Sequence, residues 1–177
     1  MNTEQKLIQR TIKLINQQGY QDLSLRKLTQ AIGLTTGAFY KHFKSKDELL
    51  KKASKQLSFD FITKVPLQQD QSAKQQLLII AKYFCAEFVR HPNAMDFLFF
   101  SPIVSEAYRA QNSDYSFLNK VKELITKISS SNKLSKQNLF LQVWSFIQGY
   151  AYLIKNHVIR YDANLVEQTL NKFLGES

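Results

Sequence analysis

The sequence predicts an all-α protein, and three observations predict it. Five Gly and three Pro in 177 residues are too few for the frequent turns of a β sandwich or barrel. Apolar residues recur at a 3.6-residue period along most of the chain, with no run of strand-like alternation and no repeat of fixed period. Capping residues and prolines fall where those stripes begin or end. An apolar share of 44% excludes wholesale disorder and is enough for a core.

The elements follow in order. Leu7, Ile8, Thr11, Ile12, Leu14 and Ile15 mark a first helix ended by Gly19. Ser24 caps a short second helix whose buried side is Leu25, Leu28 and Ile32. Gly33 stops it, Leu34 follows as a plug, and Thr35 caps a third helix over about 36–43. Ser45-Lys46-Asp47-Glu48 is a capping box that opens a longer fourth helix, ended near Val65 by Pro66. A second box, Ser72-Ala73-Lys74-Gln75, opens a helix running to His91-Pro92. Pro92 and Pro102 suit the first turns of two shorter helices, about 92–100 and 102–110. A helix over 114–129 carries Phe117, Leu118, Val121, Leu124, Ile125 and Ile128 as its stripe, and a polar loop at Ser129–Lys133 follows. Ser135 caps a long helix to about Asn156, and Asp162 caps a last one to about Leu174. The total is about nine helices.

Composition narrows the class. The longest purely apolar run, Leu77–Ala81, falls far short of the ~18 residues that span a bilayer. The first residues lack the basic-then-apolar pattern of a secretory signal, and the one cysteine, Cys85, suits a reducing cytoplasm. The net charge is +10, unevenly placed. Residues 1–55 hold nine Lys and two Arg against four acids, so seven of those charges sit in the first third. That asymmetry points to a polyanion partner for this end, a soluble basic face being the plainer alternative.

The basic end contains two short helices joined by Gly33-Leu34-Thr35, the sequence form of a helix-turn-helix. So short a turn forces a steep crossing, and the second helix projects. Its projecting face carries Thr35, Thr36, Gly37, Tyr40, Lys41 and His42, types suited to phosphate and base-edge contacts in a major groove. Gly37 is a poor helix former, explained either by close backbone approach to DNA or by close helix–helix packing.

Residues 23–50 closely resemble the DNA-binding segment of the tetracycline-repressor (TetR/AcrR) family of bacterial regulators. The resemblance rests on Gly33 followed by an apolar and a hydroxyl residue, then Gly37-Ala38-Phe39-Tyr40, and on Phe43, Lys46 and Leu49 at the family spacing. It implies three N-terminal DNA-binding helices (residues 1–47) and a helical, effector-binding and dimerising body (48–177). It also implies roles. Ser24, with Arg26 or Lys27 nearby, would bind a phosphate; Thr35, Thr36 and Gly37 open the recognition helix; Tyr40 and Lys46 would hold further phosphates. Lys41 and His42 would read bases with Thr36, or His42 would sit at the rim.

The body is aromatic. Phe84, Phe88, Phe97, Phe99, Phe100, Tyr108, Phe117 and Trp144 fall on its central helices, either as ordinary core or, as the resemblance implies, around a pocket for an apolar or cationic aromatic effector. The helix over 135–156 is apolar around most of its circumference and therefore needs burial on two sides. The family arrangement makes it, with the last helix, a four-helix interface between two copies, to which Val143, Ile147, Tyr150, Ile154, Val166, Leu170 and Phe173 would contribute. Its Trp144–Gly149 stretch resembles a family Trp-x-x-x-His-Gly segment with Gln148 in place of the histidine.

No Gly-x-Ser-x-Gly elbow, phosphate-cradling glycine loop or His-Glu-x-x-His motif is present, and three separated histidines make no local metal cluster. The expectation is a cytoplasmic, cofactor-free, metal-free homodimeric repressor, released from a palindromic operator by a small molecule. The competing class is a DNA-bound protein whose body engages a protein partner.

Overall fold

A computed structural model describes residues 2–109, 114–129 and 135–175, the side chains of 106–109 excepted. Among the described residues there are ten helices and no strand. They are α1 (Thr3–Gln18), α2 (Leu25–Gln30), α3 (Thr36–Phe39), α4 (Lys46–Lys64), α5 (Ala73–Arg90), α6 (Pro92–Phe100), α7 (Pro102–Arg109), α8 (Ser116–Ser129), α9 (Lys136–Lys155) and α10 (Ala163–Leu174). None is long and apolar enough to cross a membrane. The polar loop read at Ser129–Lys133 lies, from residue 130 on, outside the described residues.

The chain divides into two compact units, and neither is continuous in sequence. The first comprises Met1–Asp60 and His91–Ser116; the second comprises Phe61–Arg90 and Phe117–Ser177.

In the first unit, α1 begins at a capping box: Asn2 Oδ1 accepts the Gln5 N–H at 2.8 Å, and Gln5 Oε1 accepts the Asn2 N–H at 3.1 Å. One cluster of fully buried residues joins α1 (Leu7, Ile15), the α1–α2 corner (Leu23), α2 (Leu28), Phe39, Phe43 and α4 (Leu49, Leu50). Phe97 of α6 belongs to the same cluster, and Ile103 of α7 packs against it. The Phe97 ring lies 5.3 Å from that of Tyr20. Around it, Asn93 Nδ2 donates to the Asn16 carbonyl at 3.2 Å, satisfying a backbone acceptor left open at the end of α1. The pair α6–α7 therefore completes the core of the N-terminal helices.

In the second unit, α5, α9 and α10 pack on one another. All six stripe residues of α8 are buried, as the periodicity predicts. Tyr161 Oη donates to the Lys82 carbonyl at 3.0 Å, and Lys82 Nζ pairs with Glu167 at 2.9 Å, so the segment after α9 is tied to α5 twice. The end of α9 is closed by Val158 N–H to the Leu153 carbonyl at 2.9 Å and His157 N–H to the Ile154 carbonyl at 3.0 Å. This closure needs a left-handed residue, and His157 supplies it with φ 57.

Candidate nucleic-acid interface

The turn between α2 and α3 is built by backbone bonds. Leu34 N–H donates to the Thr29 carbonyl at 2.9 Å and Gly33 N–H to the Gln30 carbonyl at 3.2 Å. Closing the helix this way puts Gly33 at φ 70, which glycine adopts without steric cost. Leu34 then packs half-buried against the core. At both helix starts a hydroxyl caps: Ser24 Oγ accepts the Lys27 N–H at 3.2 Å, and Thr35 Oγ1 accepts the Ala38 N–H at 3.1 Å. Each hydroxyl spends a lone pair on the cap and keeps its proton to donate outward to an acceptor such as a phosphate oxygen.

The two faces of this segment separate as amphipathicity requires. Phe39 and Phe43 are buried and stacked, with centroids 5.5 Å apart. Ser24, Arg26, Lys27, Thr35, Thr36, Gly37, Tyr40, Lys41 and His42 are all exposed, and Lys46 is half-exposed. Tyr40 is 57% exposed, its ring edge-on to Phe39 at 5.3 Å. Eight polar side chains and Gly37 thus stay on the surface of the segment Ser24–His42, with Lys46 partly covered beyond it.

The recognition helix is shorter than its pattern predicts. Regular α-helix covers Thr36–Phe39 rather than 36–43. Beyond it, His42 N–H reaches back only three residues, to the Phe39 carbonyl at 2.9 Å. Phe43 N–H donates to the same carbonyl at 3.1 Å, a four-residue helical bond that keeps its ring beside that of Phe39. At Gly37 the structure separates two explanations. A Cβ there would meet only Thr35 Oγ1, at 3.9 Å, so no internal helix packing needs the glycine.

The start of α4 is held by Glu48. Its N–H donates to Ser45 Oγ at 3.1 Å, while Glu48 Oε2 accepts the Lys44 N–H at 2.7 Å. The predicted capping box is thus present with its return arm one residue further back. Glu48 Oε1 lies 3.8 Å from Lys52 Nζ, which pairs with Glu4 Oε1 of α1 at 2.7 Å. The same ammonium stands 5.2 Å from the Phe43 ring centroid. The Glu4 hydrogen bond, helped by the Glu48 charge, raises the Lys52 pKa against a smaller opposing effect of burial. Sequence reading missed this pair because its members are 48 residues apart.

The aromatic candidates of the body do not form one set. Phe84, Phe88, Phe117 and Trp144 lie in the second unit and touch ring to ring: Phe84–Phe117 at 5.9 Å, Phe84–Trp144 at 6.0 Å and Phe84–Phe88 at 5.2 Å. Phe61 and Phe140 extend the group, at 5.2 Å from Phe117 and 6.0 Å from Trp144. Phe97, Phe99 and Phe100 belong to the first unit, Phe97 in the core of the DNA-facing helices. The side chain of Tyr108 lies outside the described residues. Cys85 is buried, and burial pushes its thiol up to about 12, so it stays protonated at neutral pH.

Of the side chains read as dimer contacts, Val143, Ile147, Tyr150, Ile154, Val166 and Leu170 are buried inside their own unit. The helix α9 packs on both α5 and α10 of its own chain, so the burial of this stripe needs no second copy. Phe173 is half-buried, 6.0 Å from Phe146. What α9 and α10 leave exposed is Leu141, Tyr152, Leu153 and Leu165, with Gly149 open beside them.

Comparison with known proteins finds a family match for the N-terminal helices and a similar fold for the chain. Residues 7–53 match the sequence profile of bacterial regulatory proteins of the tetR family. The HTH-type transcriptional regulator YerO of Bacillus subtilis (strain 168) is 23% identical over 149 residues, 83% of this chain and 49% of YerO. The chain thus spans about half the length of this curated relative. Among solved structures, the regulator FadR of Bacillus subtilis in complex with stearoyl-CoA is similar at TM-score 0.66 and 18% identity, over 98% of each chain. BioQ with its double-stranded DNA operator is similar at TM-score 0.67 and 15% identity, again over 98% of each.

Proposed function

We propose that this chain, whose residues 7–53 match the profile of bacterial regulatory proteins of the tetR family, is a transcriptional regulator of that kind: a homodimeric repressor that leaves a palindromic operator when a small molecule binds. One observation carries the reading: the face bearing Thr35, Thr36, Tyr40, Lys41 and His42 is exposed, and Gly37 sits on it with nothing inside the chain to require a glycine. Residues 1–47 touch DNA and residues 48–177 sense and dimerise. Ser24, Tyr40 and Lys46 hold phosphates with Arg26 or Lys27, which fixes register, while Thr36, Lys41 and His42 face base edges.

A single short recognition helix reads few bases, so a second copy is needed to read two half-sites about one helical turn, ~34 Å, apart. The exposed apolar side chains of α9 and α10 supply the surface for that copy. The effector is apolar or a cationic aromatic, taken up beside Phe84, Phe88, Phe117 and Trp144. FadR holding stearoyl-CoA supports the reading that a fold of this kind takes up a bulky small molecule. Such a regulator works in the cytoplasm, without metal or cofactor.

Selection of bound duplexes from a random pool, with sedimentation of the protein alone, tests this directly. The expected result is a palindrome and a dimer. Tyr40→Phe with Lys46→Ala should then weaken binding to every sequence and lower the slope of log affinity against log salt by roughly 1 for each phosphate lost. An unchanged slope would remove the phosphate assignment, and a pool with no preferred sequence would remove the operator reading.

A further inference from the structure

We propose that Lys52, held by Glu4, is a positioning residue for DNA binding: it orients Glu48 so that the turn Lys44–Lys46 presents Lys46 to a phosphate. This rests on the reading of Ser24–Lys46 as the DNA-facing surface.

The geometry is a relay through three elements of the first unit. Glu4 on α1 pairs with Lys52 on α4 at 2.7 Å. Lys52 faces Glu48 Oε1 one helical turn back, at 3.8 Å, while Glu48 Oε2 accepts the Lys44 N–H at 2.7 Å. The two oxygens of one carboxylate thus have two tasks: one fixes the backbone just before Lys46, the other is steered by an ammonium anchored on α1. The Lys52 ammonium also stands 5.2 Å from the ring of Phe43, the last core residue before that turn.

Stability does not account for this arrangement. The side chains of Lys52, Glu4 and Glu48 are 39%, 37% and 33% exposed, and ion pairs so wet contribute little to folding. Phosphate contact does not account for it either, since the Lys52 charge is already shared between two carboxylates. Position does. Near a polyanion, Glu4 and Glu48 are the wrong sign, and a clamp that binds both to Lys52 keeps them off the phosphates while using one to shape the turn.

Positioning and simple charge counting predict opposite signs. Glu4→Ala raises the net charge by one, so charge counting alone predicts tighter DNA binding; loss of the anchor predicts weaker binding. The probe is a palindromic duplex selected by the parent protein, titrated at several salt concentrations beside thermal melts. Glu4→Ala and Lys52→Met should each weaken binding by ~3- to 10-fold, with Lys52→Arg near the parent. The salt slope should stay close to the parent value for Glu4→Ala, whereas Lys46→Ala lowers it by roughly 1. Glu4→Ala binding as tightly as the parent, or tighter, overturns the inference. So does a fall in melting temperature that matches the loss of affinity, which would make the pair a stability element. Should the parent select no palindrome, the DNA-facing reading itself fails; a parent that binds while Glu4→Ala and Lys52→Met change nothing sinks only the role of Lys52.

Discussion

Replacing Gly37 by alanine should make the protein more stable and its DNA complex weaker. Inside the chain the new methyl would have only Thr35 Oγ1 for a neighbour, at 3.9 Å, an ordinary contact. Alanine in a helix is favoured over glycine by about 0.5–1 kcal/mol, so the melting temperature should rise by roughly 1–4 °C. On the outer side the same methyl enters the space that the proposed function gives to a phosphate or base edge. Overpacking of that kind costs about 1–3 kcal/mol per site. A dimer has two such sites, which gives ~2–6 kcal/mol and a loss of affinity of roughly 30-fold or more. Melting followed by far-ultraviolet circular dichroism gives the first quantity; fluorescence anisotropy on the selected palindrome at fixed salt gives the second. DNA affinity equal to or better than that of the parent would refute the close approach at Gly37. A lower melting temperature would refute the open space around it.

Phe97→Ala should act through the DNA-facing unit, not through effector binding. A fully buried ring removed from a core costs about 3–5 kcal/mol, a large share of a total stability of ~5–15 kcal/mol. Urea unfolding should show it, and a loss below about 1 kcal/mol would mean that Phe97 does not fill that core. His157→Gly relieves a left-handed residue at the end of α9, where strain of ~1 kcal/mol outweighs the added entropy of the unfolded chain. The expected gain is about 0.5 kcal/mol, or roughly 1–2 °C in melting temperature, and a decrease would contradict it. Cys85, with its pKa pushed up to about 12 by burial, should resist a thiol reagent at pH 8 until denaturant is added. Above its ordinary pKa the unfolded thiol ionises while the native one does not, so its contribution to stability is lost as the pH rises from about 9 towards about 12. Rapid labelling of the native protein would disprove the burial.

Local signals carried most of the element map. The stripe of α8 and the caps Ser24, Thr35, Ser135 and Asp162 stand where periodicity and capping chemistry put them. The exposed face of α3 was readable for the same reason, because Phe39 and Phe43 repeat at a helical spacing and the polar residues fall between them. What escaped was set by partners distant in the chain. Phe97 looks like any other aromatic of a central helix, and only the packed unit shows it beside Tyr20. The stripe Val143, Ile147, Tyr150 and Ile154 announces burial without saying whether the covering helix comes from the same chain; here it comes from the same chain. The pairing of Glu4 with Lys52 obeys no spacing rule within one helix.

The insertion of α6 and α7 into the core of the N-terminal helices has a consequence for biosynthesis. The segment from Met1 to Asp60 leaves the ribosome with its apolar cluster lacking Phe97. At ~5–20 residues per second, the roughly 37 residues from Asp60 to Phe97 take about two to seven seconds to translate. During that interval the nascent helix-turn-helix has its recognition residues but not the ring that closes the core beneath them. A chain broken off before Phe97 would lack the same ring and compete poorly for an operator. Under the proposed function, competence to bind DNA is therefore acquired only after Phe97 has been made, well after the recognition residues themselves.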